Sequence, residues 1–244
     1  MKTPPARIAL VTGANKGIGL EIARQLGRTG AHVLLGARAA SLGEAAAAIL
    51  LAEGGDVRFL AIDLTSPETI AAAAASISDD YGRLDVLVNN AGITDQADGP
   101  PSSCSMTSVR RIFDTNFFGS LAVTQAMLPL LHKSASGRIV NVSSGLGSLM
   151  RNADPAWEFA RVKLLGYNAS KTALNMLTVQ LAAELRDAGI KVNAANPGYT
   201  ATDLNGHRGT QTIPQGAEAA VRLALLGDDG PTGGFFSASG PEPW

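Results

Sequence analysis

Short apolar stretches alternate with longer segments of helical periodicity along nearly the whole chain. Within residues 17–28, Ile18, Ile22 and Leu26 follow helical spacing, and Ser66–Pro67 is a typical helix start. The β-branched runs predict about seven strands, at "RIALVTG", "AHVLLGAR", "VRFLAID", "LDVLVNNAG", "GRIVNVSS", "IKVNAANPG" and "GGFFSASG".

This alternation indicates the fold class. Strands that are apolar on both faces, with helices between them, favour a parallel sheet covered by helices on each side and joined by right-handed crossovers. The proline- and glycine-rich stretches 98–103 and 227–234 are interpreted as loops, because each falls between predicted elements. We therefore predict an α/β Rossmann-type fold, a doubly wound parallel sheet of about seven strands in a single domain over residues 1–244.

Composition narrows the possible partners. With 45% hydrophobic residues, 17% charged residues and a formal net charge of -1, the chain has no basic excess to attract nucleic acid or a membrane surface. No apolar stretch reaches the ~18 residues of a membrane span, so we expect a soluble protein of the cytoplasm. A single cysteine, Cys104, and three scattered histidines predict no disulfide and no metal site.

A glycine-rich turn follows the first predicted strand. Open parallel sheets bind their ligands at this position, beyond the carboxyl ends of the strands. The sequence "TGANKGIG", residues 12–19, runs directly into a helix. Glycines allow a pyrophosphate to approach the backbone, and the helix N-terminus offers unpaired N–H groups. Its G-x-x-x-G-x-G spacing differs from the general dinucleotide fingerprint, and an ordinary glycine-rich turn is the alternative.

The second predicted strand bears on the choice of nucleotide. Ala37 stands where an acidic residue would hold a ribose 2′-hydroxyl, and Arg38 follows it. Lys16 adds a cation inside the glycine-rich turn. Either charge alone could be a solvated surface group, but both flank the same expected pocket. Together they favour a 2′-phosphate, and therefore NADPH/NADP+.

Five motifs occur in a fixed order along the chain: "TGANKGIG", "NNAG" (89–92), "NVSS" (141–144), "YNASK" (167–171) and "NPGYTATD" (196–203). As an ordered set they resemble the short-chain dehydrogenase/reductase family, and within it the NADPH-dependent carbonyl reductases. The resemblance covers nearly the whole chain. It implies hydride transfer between NADPH and a small-molecule ketone or aldehyde, reversible as a secondary alcohol dehydrogenase.

The resemblance also implies catalytic roles for four residues. Tyr167 resembles the general acid and base, and Lys171 the lysine that binds the nicotinamide ribose and lowers the pKa of the tyrosine. Ser144 matches the serine that hydrogen-bonds the substrate oxygen, while Ser143 beside it is interpreted as an ordinary strand-end serine. Asn116 matches the helical asparagine that holds a water linking the lysine to solvent.

A cofactor site follows from the same matching. Asp63 resembles the adenine contact, Asn90 is expected to line the ribose side, and Thr200 matches the residue that fixes the nicotinamide amide. The full expected set is Gly13, Asn15, Lys16, Gly17, Ile18, Gly19, Arg38, Asp63, Leu64, Asn90, Ala91, Gly92, Tyr167, Lys171, Pro197, Gly198 and Thr200.

The four-residue spacing of Tyr167 and Lys171 has a chemical reason of its own. On a helix these two side chains share one face, although both could simply be solvated there. A free phenol has a pKa of about 10. An ammonium about 4 Å away, at an effective dielectric constant of about 20, supplies roughly 4 kcal/mol, or roughly three pKa units. We therefore expect the pKa of Tyr167 to lie near 7.

One segment departs from the family pattern. Ser144 and Tyr167 are 23 residues apart, more than in compact members, and the excess falls at 151–166. Trp157 and Phe159, with Val162 and Leu165, give this segment an amphipathic pattern that predicts a short extra helix near the substrate mouth. We expect it to cover the face through which compact members pair, which favours a monomer, with a dimer as the alternative.

Two classes of function remain at this point. The first is the NADPH-dependent enzyme, and the second is a non-catalytic NADP(H)-binding regulatory or interaction protein with the same fold. Such proteins commonly lose the tyrosine or the lysine. Because this chain retains Tyr167, Lys171, Ser144 and Asn116, the enzyme is favoured.

Overall fold

A single sheet runs through residues 6–244, the part of the chain that the computed structural model describes. Its strands are β1 (Ile8–Thr12), β2 (His32–Ala37), β3 (Val57–Ala61), β4 (Val86–Asn89), β5 (Arg138–Val142), β6 (Lys191–Ala195), β7 (Phe235–Ser237) and β8 (Gly240–Pro241). They lie side by side in the order β3-β2-β1-β4-β5-β6-β7-β8. The first seven are parallel and β8 is antiparallel to β7.

Eight helices connect the strands. They are α1 (Gly17–Arg28), α2 (Ala40–Ala52), α3 (Pro67–Tyr81), α4 (Met106–Phe113), α5 (Ser120–Leu131), α6 (Leu149–Ala153), α7 (Leu165–Glu184) and α8 (Ile213–Ala224) among the described residues. A π-helical turn, Asp114–Gly119, joins α4 to α5. Ser66 caps α3 as predicted, since its Oγ accepts a hydrogen bond from the backbone N–H of Thr69 at 3.4 Å.

The core lies in two layers, one on each face of the sheet. One layer packs the sheet against α1, α2 and α8, and the other packs it against α3, α5 and α7. Every residue of β1, β4 and β5 is buried, because these central strands are covered on both sides. Strand order reverses between β1 and β4, so the ligand crevice of this fold lies beyond their carboxyl ends.

The predicted doubly wound fold is confirmed, with one more strand than expected. All seven predicted strands form, and β8 is added at the edge. This last strand has only two residues, Gly240 and Pro241, and is too short to produce a periodic signal. The predicted domain bounds, 1–244, include residues 1–5, which lie outside the described part of the chain.

Two further features bear on the expected partners. Within residues 6–244, no helix combines the length and the apolar character needed to cross a bilayer. The same residues contain no group of three His, Cys, Asp or Glu side chains that could hold a metal ion.

The segment before Tyr167 does not form the expected extra helix. Helix α6 ends at Ala153, and turns follow to residue 161. Pro155 lacks a backbone donor and disfavours helical geometry at Asp154, so the helix cannot continue. The apolar side of the segment packs on the loop after β6, where the ring centroids of Phe159 and Tyr199 are 5.4 Å apart.

The shielding that favoured a monomer is therefore not present. Met176 and Val179 on α7 stay exposed, as does Phe118 in the π-helical turn, with 59% of the Met176 surface accessible. Trp157 and Phe159, which were expected to cover such a face, pack against each other with ring centroids 5.5 Å apart. These exposed apolar residues are consistent with the alternative, a dimer, and the monomer and the dimer both stay predictions.

We expect light scattering after size exclusion to give about twice the chain mass of 25.1 kDa. Met176→Glu would place a charge in the apolar contact and return the mass to that of one chain. Leu42→Glu is the matched control, because Leu42 is equally exposed but lies on α2. A single-chain mass for the unmodified protein would contradict the dimer.

Candidate active site

The glycine-rich turn after β1 has a backbone that glycine alone adopts easily. Gly13 and Gly17 have φ angles of +62° and +58°. A Cβ at Gly19 would come within 2.4 Å of the Asn90 side chain. Helix α1 starts without a side-chain cap and without an acidic residue in its first turn. Its first N–H groups are therefore suited to bind an anion such as a pyrophosphate.

Asn90 braces this turn from the neighbouring loop. Its Nδ2 donates to the carbonyl oxygens of Thr12 at 2.9 Å and Gly13 at 3.2 Å. In return, the backbone N–H groups of Asn90 and Ala91 each donate to Thr12 Oγ1 at 3.1 Å. The loops after β1 and β4 are thereby joined where strand order reverses. The expected contact of Asn90 with the ribose stays a prediction.

Two cations lie beside the crevice. Arg38 follows β2 and is 78% exposed, with its Nε 4.0 Å from Asp63 Oδ2. Lys16 donates to Asp203 Oδ2 at 2.6 Å and so connects the glycine-rich turn to the loop after β6. A phosphate at Lys16 would therefore compete with Asp203, a partner that lies 187 positions further along the chain and leaves no local signal in the sequence.

Asp63 is a carboxylate with internal hydrogen bonds. Its Oδ1 accepts hydrogen bonds from the backbone N–H of Thr65 at 2.9 Å and from Thr65 Oγ1 at 2.8 Å. Burial raises the pKa of Asp63, but the Thr65 hydrogen bonds and the charge of Arg38 outweigh it, so the pKa lies below its usual value. The group is thus an anionic acceptor at neutral pH.

Tyr167 and Lys171 lie together inside the protein. Both are on α7 and both are buried, with exposed fractions of 8% and 3%. Lys171 Nζ donates to the carbonyl oxygen of Val142 at 2.7 Å and lies 5.7 Å from the centroid of the Tyr167 ring. The shared helical face is confirmed, and the alternative that both side chains are solvated is wrong.

The pKa of this tyrosine differs from the sequence-based expectation. Burial raises the pKa of Tyr167 to about 12, although a hydrogen bond with Ser144 acts to lower it. Burial also lowers the pKa of Lys171 to about 8. The predicted value near 7 is therefore wrong, because it counted the ammonium charge and left out the burial of both groups. At neutral pH the phenol is protonated and the lysine is mostly charged.

Two serines follow β5 directly, and they have different surroundings. Ser144 is half-buried and acts on the Tyr167 hydroxyl to lower its pKa, and its Oγ accepts a hydrogen bond from the backbone N–H of Leu146 at 3.2 Å. Ser143 is buried and donates to the carbonyl oxygen of Lys171 at 3.4 Å. This agrees with the interpretation of Ser144 as the site serine and Ser143 as a structural one.

Asn116 occupies the π-helical turn, an irregularity that is frequent at functional sites. Its Oδ1 accepts a hydrogen bond from the backbone N–H of Ile93 at 2.8 Å. Its Nδ2 donates to the Ile93 carbonyl and to Ser170 Oγ, both at 3.0 Å. A Cβ at Gly92 would lie 3.3 Å from Lys171 Nζ and 3.5 Å from Asn116 Oδ1. The glycine therefore leaves open space beside the lysine.

The loop after β6 forms a third side of the crevice. Thr200 is buried, and its Oγ1 donates to the carbonyl oxygen of Pro197 at 2.8 Å. Asn196 Oδ1 accepts hydrogen bonds from the backbone N–H groups of Gly145 at 3.1 Å and Gly198 at 3.0 Å. These contacts tie the loop after β6 to the loop that follows Ser144.

All expected cofactor residues lie at the carboxyl edge of the sheet or on α7. The open backbone around the glycines and the uncapped start of α1 fit a dinucleotide. In chain order, the expected residues come after β1 (Gly13, Asn15, Lys16, Gly17, Ile18, Gly19), β2 (Arg38), β3 (Asp63, Leu64), β4 (Asn90, Ala91, Gly92) and β6 (Pro197, Gly198, Thr200), and on α7 (Tyr167, Lys171).

Comparison with known proteins agrees with this arrangement. The family model for short chain dehydrogenase matches residues 7–212. The chain belongs to the short chain dehydrogenase family. It is 38% identical to short-chain dehydrogenase anuI of Penicillium roqueforti, an alignment covering 90% of this chain and 89% of that protein. It is 36% identical to carbonyl reductase [NADPH] 3 of Rattus norvegicus, over 92% of each chain.

A solved structure is similar over almost the whole chain. It is the NADPH-bound carbonyl reductase from chicken fatty liver, with a TM-score of 0.85 and 28% identity. The alignment covers 98% of this chain and 99% of that one.

This short chain dehydrogenase has a cavity of about 680 Å³ between the loops after β4 and β6. Its lining is largely polar and includes an ion pair between Arg111 and Asp95. The lining residues are Thr94, Asp95, Gln96, Arg111, Asp203, Leu204, Asn205, Gly206 and Arg208.

An aromatic group adjoins the loop after Ser144 in this dehydrogenase. Trp157 is close to Gly145, where a Cβ would lie 3.5 Å from its ring. Phe159 and Tyr199 extend the group, and Arg151 lies over the Trp157 ring at 5.8 Å. Segment 151–166 therefore supplies an apolar surface next to the residue after Ser144.

The high pKa of Tyr167 can be measured directly. The chain has three tyrosines, so subtracting the tyrosinate absorbance of Tyr167→Phe from that of the unmodified protein isolates one phenol. We expect this difference to stay flat through about pH 10, the ordinary phenol value, because burial disfavours the phenolate. An inflection between about pH 7 and pH 9 would instead support the original Coulombic expectation.

Proposed function

We propose that this oxidoreductase is an NADPH-dependent carbonyl reductase that converts a small ketone or aldehyde to an alcohol and, in reverse, acts as a secondary alcohol dehydrogenase. The observation that carries the proposal is the buried, protonated Tyr167, with Ser144 at its hydroxyl and Lys171 on the same helical face. Relatives named carbonyl reductase [NADPH] support the same conclusion.

The proposed reaction needs one proton donor and one group that holds the carbonyl. NADPH, when bound, supplies the hydride that goes to the carbonyl carbon. Tyr167 donates its phenolic proton to the carbonyl oxygen, forming the alcohol O–H bond and leaving a phenolate. Ser144 donates a hydrogen bond to the same oxygen and fixes its orientation.

Lys171 and Asn116 serve the phenolate that is left behind. The Lys171 ammonium stabilises it electrostatically, and a lysine pKa of about 8 allows proton release and uptake near neutral pH. Asn116 is proposed to hold a water that connects the lysine to solvent. Its side chain borders the same open space at Gly92 as Lys171 Nζ.

A non-catalytic nucleotide-binding protein is less consistent with the buried lysine. Burial disfavours the charged form of Lys171, so an ammonium there lowers the stability of the fold, and a role in catalysis would explain why the residue is kept. Its hydrogen bond to Val142 satisfies one of three donors. Selection for fold alone would favour an apolar residue at this position.

Replacing Tyr167 with phenylalanine tests the proton donor. We expect turnover of a ketone panel, followed by NADPH absorbance, to fall at least about a hundredfold, the usual contribution of a general acid. Cofactor affinity should stay within a few-fold, because the substitution removes little volume. Tyr81→Phe is the control, since that hydroxyl contacts His32 away from the site. Substantial turnover by Tyr167→Phe would reject the assignment.

Replacing Arg38 with aspartate tests the preference for NADPH. An acidic residue there would repel a 2′-phosphate and accept from a 2′-hydroxyl, so the ratio of NADPH to NADH affinity should fall by about tenfold or more. Arg186→Asp makes the same change in net charge after α7, at the opposite edge of the sheet, and should leave the ratio unchanged. Equal affinity of the unmodified protein for both cofactors would contradict the proposal.

A further inference from the structure

The first turn of α7 has no cap in its own sequence. The residue before the helix, Leu164, offers no side-chain acceptor, and the turn contains no acidic residue. Helices α3 and α4 differ, because each is capped by the serine that precedes it, Ser66 or Ser105. A helix start leaves several N–H groups without intrahelical partners, and here one of them belongs to Tyr167.

The loop after β4 supplies partners for the three N–H groups of residues 165–167. The backbone N–H of Leu165 donates to the carbonyl oxygen of Gly99 at 2.9 Å. Asp98 accepts the next two, from Gly166 at its Oδ1, 2.8 Å away, and from Tyr167 at its Oδ2, 2.9 Å away. The following N–H, of Asn168, donates to the Leu164 carbonyl at 2.8 Å as the first intrahelical bond.

Asp98 is itself held in place. Its Oδ1 also accepts from the backbone N–H of Gly99 at 2.9 Å, and its own N–H donates to the Asp95 carbonyl at 3.1 Å. The close approach requires Gly166, because a Cβ there would lie 3.2 Å from Asp98 Oδ1 and 3.0 Å from Ile112. The carboxylate also carries the charge that the N-terminal end of a helix favours.

We propose that Asp98 is a positioning residue that sets the place of the Tyr167 hydroxyl by holding the backbone N–H of Tyr167. One turn later, Lys171 anchors the same helix to β5 through Val142. These two contacts hold α7 in place at Tyr167 and at Lys171. The inference rests on the proposed role of Tyr167 as proton donor, whose rate depends on its alignment with the substrate oxygen.

Asp98→Asn tests the proposal, because one of the two carboxylate oxygens becomes an NH2 group, which cannot accept the hydrogen bonds made there, and the negative charge is lost. We expect kcat to fall at least about tenfold, while KM for the ketone and the Kd for NADPH stay within about threefold. Asp85→Asn is the matched control. The Asp85 carboxylate accepts a hydrogen bond from the distant backbone N–H of Ile8 at 2.8 Å, before β4 and far from the site.

The two variants should differ in kind. Asp85→Asn is expected to lower thermal stability and to keep its kcat. A loss of kcat in Asp98→Asn could then not be explained by lower stability alone. An unchanged kcat in Asp98→Asn, or an equal loss of kcat in both variants, would overturn the proposal. If Asp98→Asn does not fold, Gly166→Ala takes its place, since the added Cβ presses on Asp98 Oδ1. Normal turnover in that variant would also overturn it.

Hydrogen exchange separates this inference from the proposed function. In Asp98→Asn, the amides of residues 165–167 should exchange at least about tenfold faster, relative to amides in the middle of α7, while Asp85→Asn leaves them unchanged. Unchanged exchange would reject the contact whatever the activity. Faster exchange, in a protein whose unmodified form reduces no ketone, would support the contact and reject the reductase assignment.

Discussion

The hydrogen bond from Lys171 to the Val142 carbonyl connects α7 to the end of the central sheet. It depends on two glycines. A Cβ at Gly147 would lie 2.8 Å from Lys171 Cβ, so only glycine lets α7 approach the loop after β5 this closely. Gly92 likewise keeps the space beside Nζ open. The Lys171 ammonium is buried and bonded to the end of β5. The sheet therefore determines the position of Tyr167, which lies four residues earlier on the same helix.

The other parts of the site are fixed by contacts between loops that leave neighbouring strands. Asn90 and Thr12 join the loops after β1 and β4, and Asn196 joins those after β5 and β6. Asp98 then links the β4 loop to α7. Residues that are far apart in sequence are thereby held together around one crevice, an arrangement that suits the alignment that the proposed reaction needs. The ion pair between Lys16 and Asp203 is exposed and stands apart from this buried network.

Most of the fold and the centre of the site could be predicted, because their signals are local. Buried parallel strands are continuous apolar runs, and the spacing of Tyr167 and Lys171 determines which helical face they share. The remainder depends on tertiary contacts. The pKa of Tyr167 depends on burial, which spacing does not encode, and Asp98 binds backbone groups 68 and 69 positions away. A local signal for it did exist, since a helix that begins at Leu164–Leu165 without a cap must find acceptors elsewhere.

The two perturbed pKa values also bear on the direction of the proposed reaction. With the pKa of Tyr167 near 12, the phenol is ready to donate a proton at neutral pH, whereas alcohol oxidation would require it to lose that proton first. Lys171, with a pKa of about 8, is mostly protonated at the same pH and can return a proton to the phenolate. Burial thus prepares both groups in the protonation states that carbonyl reduction uses. The same burial that contradicts a phenol of low pKa therefore keeps Tyr167 in the protonated form from which the proposed reduction starts, whereas the reactants and their concentrations set the position of the equilibrium.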